Sequence, residues 1–279
     1  PTNIHVEAVQ DSSVRYYGLD ALRGMAMLLG IVLHAALPYM PNIEAFWPAD
    51  ESSSHLINTI FQFIHIWRMP LFFMLAGFFA NLYITKRSWE GWWGNRLLRI
   101  GLPIVLFWPL ISLTLPWIYQ YGKTGELIFF YSDTGQPHHL WFLWHLMIFV
   151  ILTAILRPLY LLCTRIFGDV FGKSKSTISG ILFRSRFPIV FIILCCVINI
   201  STGGELILNP VASLLYFAFG YSLYGNTSLF TFLKANWRYY FLAGFIGFIL
   251  YMILSWQAEL NVTESRNFTK EIYELFDLL

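Results

Sequence analysis

Residues 19–37 read LDALRGMAMLLGIVLHAAL, an apolar run that nevertheless holds Asp20, Arg23 and His34. A charged side chain near the centre of a bilayer costs roughly 2–3 kcal/mol unless something compensates it. In a helix, the eleven residues from Arg23 to His34 turn through about 1100°, some 20° past three full turns, and rise about 16 Å. Both side chains therefore share one face at two depths. A histidine so placed can accept a proton or act as a nucleophile, and an arginine can stabilise developing negative charge. The plainer alternative has Arg23 reaching the interface along its methylenes and His34 hydrogen-bonded among packed helices. From this pair alone the two readings stand level.

Further ionisable residues follow. The stretch FIHIWRMPLFFMLAGFF places His65 and Arg68 one turn apart, on a common helix face. Arg68 lies too deep to reach the interface easily, so it calls for an anionic partner or a wet cavity. In WWGNRLLRIGLP, Arg96 and Arg99 are again three residues apart. Paired guanidinium groups suit phosphate by charge and by bidentate geometry. Arginines are also expected at a cytoplasmic helix end without any ligand, and spacing alone favours that plainer reading. In GQPHHLWFLWHLMIF, His138 and His139 precede a span and His145 lies within it. No carboxylate or cysteine stands nearby at ligand spacing, so no metal site is expected.

These residues must be positioned by membrane helices. Of the 279 residues, 57% are hydrophobic and only 12% charged, about half the charged fraction of a soluble domain. Apolar blocks near 20 residues long match the hydrocarbon thickness of a bilayer, whereas a β-barrel would show dyad alternation. The expectation is an all-α polytopic bundle of about seven spanning helices, near 17–40, 56–84, 97–118, 140–163, 187–200, 208–225 and 238–256. The second span is long, and His65, Arg68, Pro70 and Gly77 predict a kink or a polar cavity within it. A tail over 1–16, a membrane domain over 17–256 and a polar segment over 257–279 complete the organisation. Asn261 and Asn267 begin sequons to which little weight attaches.

Charge distribution orients the bundle. With the N-terminus cytoplasmic, thirteen Lys and Arg residues fall on the inner side and three (Lys123, Arg266 and Lys270) on the outer, with Arg23 and Arg68 inside spans. That agrees with the positive-inside rule. A net charge of +2 gives no case for nucleic-acid binding. Cys163, Cys195 and Cys196 lie in or beside apolar segments and read as packing residues rather than a disulfide framework. The polar first fifteen residues hold no h-region, so the first span is expected to target the chain.

Taken in order, these stretches resemble the membrane-bound acyltransferase-3 family. The resemblance rests on Arg23-x10-His34 in the first span, FFMLAGFF in the second, Arg96-x2-Arg99 in NRLLR with Pro103 following, and HLWFL. The opening YYGLDALRGMAMLLGIVLHAAL, FIHIWRMPLFF and WW…R…R.G.P are most like the family's glucan-biosynthesis branch. The likeness runs from about residue 14 into 215–250, where it weakens to LYFAFGYSL. Ala76 stands where the family usually has a serine before the Gly-aromatic pair. The family usually has about ten spans, so a C-terminally short or divergent member is expected.

The resemblance implies transfer of an acyl group, succinyl or acetyl, from cytoplasmic acyl-CoA to a hydroxyl of a periplasmic or cell-surface glycan. The implied setting is the bacterial inner membrane, with acyl-CoA as co-substrate and no bound cofactor. Membrane lipids and a glycan or lipid-linked glycan are the other partners. It implies His34 as base or acyl acceptor, with Arg23 stabilising charge or holding donor phosphate. Arg96 and Arg99 would bind the donor, and Asp20, His65, Arg68 and His139 would support the same cavity. Two other classes compete: a transporter of a small anionic solute, and a non-catalytic family member. A transporter would be expected to show an inverted repeat with broken helices in matching halves, and the sequence has one candidate broken span without a counterpart.

Overall fold

The computed structural model describes residues 16–45, 47–86, 88–129, 140–168, 210–224 and 228–276. The expected fifth span, 187–200, and His138 and His139 lie outside the described residues. Every element longer than a turn is helical among those described. Five stretches are long and apolar enough to cross a membrane, at Tyr17–Tyr39, His55–Lys86, Trp89–Thr124, Trp141–Phe167 and Lys234–Leu254, with a shorter apolar helix at Pro210–Leu223. The protein is a multi-pass helical membrane protein.

Helix α1 (Tyr17–Ala36) carries Asp20 in its first turn, where a carboxylate is favoured by the helix dipole. A 3-10 turn at Leu37–Tyr39, begun by Pro38, closes it. Helix α2 (His55–Lys86) then runs 32 residues, with Pro70 inside it. Serine 88 ends the two-residue link to α3 (Trp89–Arg96): its Oγ accepts the Gly91 N–H at 3.2 Å, an N-cap that restarts the helix. Trp92 shares the buried core with Ile84 near the end of α2, and Trp89 and Trp93 pack against that core.

A π turn over Leu97–Gly101 joins α3 to α4 (Leu102–Thr124). The third span is thus 36 residues of continuous helix, longer at both ends than the expected 97–118. Gly125 stops it with φ +73, the left-handed conformation that glycine adopts freely. Helices α5 (Trp141–Phe167) and α6 (Pro210–Leu223) follow.

Helix α2 is the central post. Its residues Met69, Phe73, Ala80 and Ile84 join Trp92, Ile100, Ile104, Phe149, Val150 and Phe217 in one buried core. The most extensive packing is between α2 and α6. Glycines permit it: a Cβ on Gly77 would overlap the Phe217 carbonyl oxygen, and one on Gly220 would overlap the Met74 carbonyl oxygen. In a bilayer, where helices gain little from apolar burial against each other, such close backbone approach is a main source of association. Asn81 Nδ2 donates to the Tyr221 carbonyl at 2.7 Å across the same seam. Outward faces stay apolar, as with Met27, Leu28 and Ile31 of α1 and Val105 and Leu106 of α4, which suits contact with lipid.

A second compact unit contains α7 (Ser228–Phe276), whose backbone departs from helical values at Asn236. The apolar part of this helix spans Lys234–Leu254, and the helix continues beyond residue 256.

Candidate active site

Arg23 and His34 sit on the unbroken helix α1, so the phase relation expected from their spacing holds. Between them lies Gly30, buried against α2. The Arg68 guanidinium rests so close to Gly30 that a Cβ there would overlap it. His65 lies close to both Arg68 and His34. The two ionisable clusters of the first and second spans therefore form one group. Phe61 stacks on the His65 ring at 5.4 Å and restricts its rotation. Arg68 Nε is buried without a hydrogen-bond partner among the described residues. This leaves a donor available to a further group beside the imidazoles.

Toward the other end of the same seam, Arg23 lies over the Phe79 ring at 5.7 Å. Arg96 lies near Arg23 and Arg99 and 6.0 Å from the Tyr83 ring centroid. Arg96 is half-buried and Arg99, within the π turn, is exposed. Helices α1 and α3 and the π turn thus gather guanidinium groups beside the C-terminal part of α2, which supplies the Phe79 and Tyr83 rings. The histidine end lies about 16 Å away along α1. Asp20 is exposed on the first turn of α1, one turn before Arg23. His139 lies outside the described residues.

Two arrangements were not read from the sequence. His145, 5% exposed, shares a 3.2 Å hydrogen bond with Ser213, 2% exposed, across the α5–α6 contact. Phe73, Trp141 and Phe149 surround the imidazole, their ring centroids 5.3–6.2 Å from it. Nothing in the sequence around Ser213 signals that pairing, since the partners are 68 residues apart. The second arrangement is a stack. Trp89 lies parallel to Trp92 at 4.9 Å, and Arg157 of α5 lies 4.6 Å over the Trp89 ring. The three-residue spacing of the tryptophans was a usable signal for it.

The geometry is that of a seam with a strongly cationic end and an imidazole pair some distance in, a layout suited to an extended anionic molecule with its reactive end toward the histidines. Comparison with known proteins agrees on the class. A family model described as an acyltransferase domain matches residues 16–275, and the chain belongs to that family, acyltransferase-3. Among curated proteins, the chain is 31% identical over 148 residues to a glucans biosynthesis protein C of Escherichia coli (strain K12). It is 32% identical over the same length to the protein of that name from Shigella dysenteriae serotype 1 (strain Sd197). Each match covers 50% of this chain and 38% of the relative. No solved structure matches the chain.

Proposed function

We propose that this membrane acyltransferase moves an acyl group from cytoplasmic acyl-CoA to a hydroxyl of a glycan at the outer face of the bacterial inner membrane, with its N-terminus cytoplasmic. The observation that carries the reading is the packing of Arg68 against Gly30, between Arg23 and His34 on α1, with Arg23 and Arg96 over the Phe79 and Tyr83 rings farther along α2. Arg96 and Arg99 bind phosphate groups of the donor, and Arg23 adds positive charge at the same end. The acyl end extends along α1 toward His34. There the imidazole accepts the proton of the acceptor hydroxyl as its oxygen bonds to the thioester carbonyl carbon. The carbon–sulfur bond breaks, and the departing thiolate takes that proton back from the imidazolium. An imidazole suits both steps because it gains and loses a proton near neutral pH. Arg68, with His65 beside it, supplies donors where the carbonyl oxygen becomes negative. The transferred group is succinyl or acetyl, and the relatives' name favours a glucan acceptor.

Transfer of radiolabel from acyl-CoA to membrane glycans, in cells producing the full-length protein or its His34→Ala variant, tests this reading. Labelling that disappears in the variant supports it. Equal labelling removes His34 from the chemistry, and absence of labelling by the correctly inserted wild-type protein overturns the assignment of donor and acceptor.

A further inference from the structure

We infer that Arg157 is a further donor-binding residue, which takes the phosphate of acyl-CoA farthest from the thioester, the 3′-phosphate on the ribose. The inference rests on the donor assignment above and goes beyond it to a residue on another helix.

Arg157 lies on α5, far in sequence from Arg96 and Arg99, and half-buried. Its guanidinium is held 4.6 Å over Trp89, which is itself stacked at 4.9 Å on the fully buried Trp92. A guanidinium held over an aromatic ring is attracted by the ring's face and keeps N–H donors for other partners. No hydrogen bond or carboxylate contact of Arg157 occurs among the described residues. The tryptophan column therefore holds the guanidinium in place, with Tyr221 nearby, and its N–H donors suit phosphate oxygens.

Position selects which phosphate. Trp89, Trp92 and Arg96 follow at helical spacing on one face of α3, and Arg99 comes one turn later. From Trp89 to Arg96 the axis advances about 10 Å. Proceeding from the α2–α3 link into the bundle, the cations occur in the order Arg157, Arg96, Arg99. A donor whose thioester reaches toward His34 must leave its far end at the start of that series. In acyl-CoA, the 3′-phosphate on the ribose is separated from the thioester by the diphosphate and the whole pantetheine arm. Arg96 and Arg99 then meet the diphosphate, and Arg157 meets the 3′-phosphate.

Binding of coenzyme A and of 3′-dephospho-coenzyme A to the purified full-length protein in nanodiscs tests this directly. Wild type, Arg157→Gln and Arg157→Lys are compared, with a melting curve for each. The wild-type protein is expected to bind coenzyme A about tenfold or more tightly than the dephospho form. Arg157→Gln is expected to abolish that preference while binding the dephospho form as wild type does. Arg157→Lys, which keeps the charge but not the fork, is expected to fall between them. An undiminished preference in Arg157→Gln overturns the inference and leaves the donor assignment standing. Equal weakening toward both ligands, with a lowered melting temperature, also overturns it, because Arg157 then only props the tryptophans. Failure of the wild-type protein to bind coenzyme A at all overturns the donor assignment itself.

Discussion

At the scale of single residues, two contacts decide how the seam is held. Arg68 lies against Gly30, where any side chain would occupy the space of its guanidinium. Gly30→Ala is therefore expected to displace Arg68 and lower acyl transfer at least tenfold with little loss of protein from the membrane. Labelling and quantified immunoblots of the same membranes check both halves of that expectation. His145 and Ser213 make the opposite case, a buried polar pair away from the cationic end. Ser213→Ala leaves the imidazole nitrogen without its partner and should destabilise the protein by about 1–3 kcal/mol, measurable as a lower melting temperature in detergent. The facing of Arg23 and His34 could be read from the sequence because one continuous helix fixes it. That Arg68 sits on Gly30 could not, because it depends on the relative register of α1 and α2.

Among the elements, α2 and α6 are joined by backbone proximity rather than by bulk. A methyl group at Gly77 or Gly220 would meet a carbonyl oxygen of the facing helix, and neither backbone can yield as a flexible side chain does. Gly77→Ala and Gly220→Ala should each cost about 1–3 kcal/mol, the range for overpacking, and the double variant should cost less than their sum, since one separation of the helices relieves both overlaps. Melting temperatures of the three variants check this. The apolar blocks revealed the helices themselves well: α1, α2 and α5 fall within a few residues of expectation. The third span was underestimated because WEGWWGNR is too polar to read as membrane helix, although Ser88 caps it and the π turn carries it into α4 without a break. Helix α2 stays helical through Pro70. Without an N–H, proline forfeits one helical hydrogen bond there.

For the whole molecule, the skew of Lys and Arg residues predicts the orientation. Reporter fusions within the loop at 47–54 should report the outer side, and fusions at Ser88 the cytoplasmic side; the reverse pattern would invert the assignment of donor and acceptor ends. The α2–α6 seam has a consequence in time. During synthesis α2 is complete at Lys86, while its principal partner begins only at Pro210. At the usual pace of translation the ribosome needs roughly 6–25 s to make the intervening chain. Throughout that interval the face around Gly77 has no α6 to cover it, and Asn81 has no Tyr221 carbonyl to meet. The newborn helix must be sheltered by lipid or by the insertion machinery until then. Nascent chains halted before Pro210 are accordingly expected to be degraded faster in the membrane than chains halted after Tyr224, which pulse–chase labelling would register as a difference in half-life.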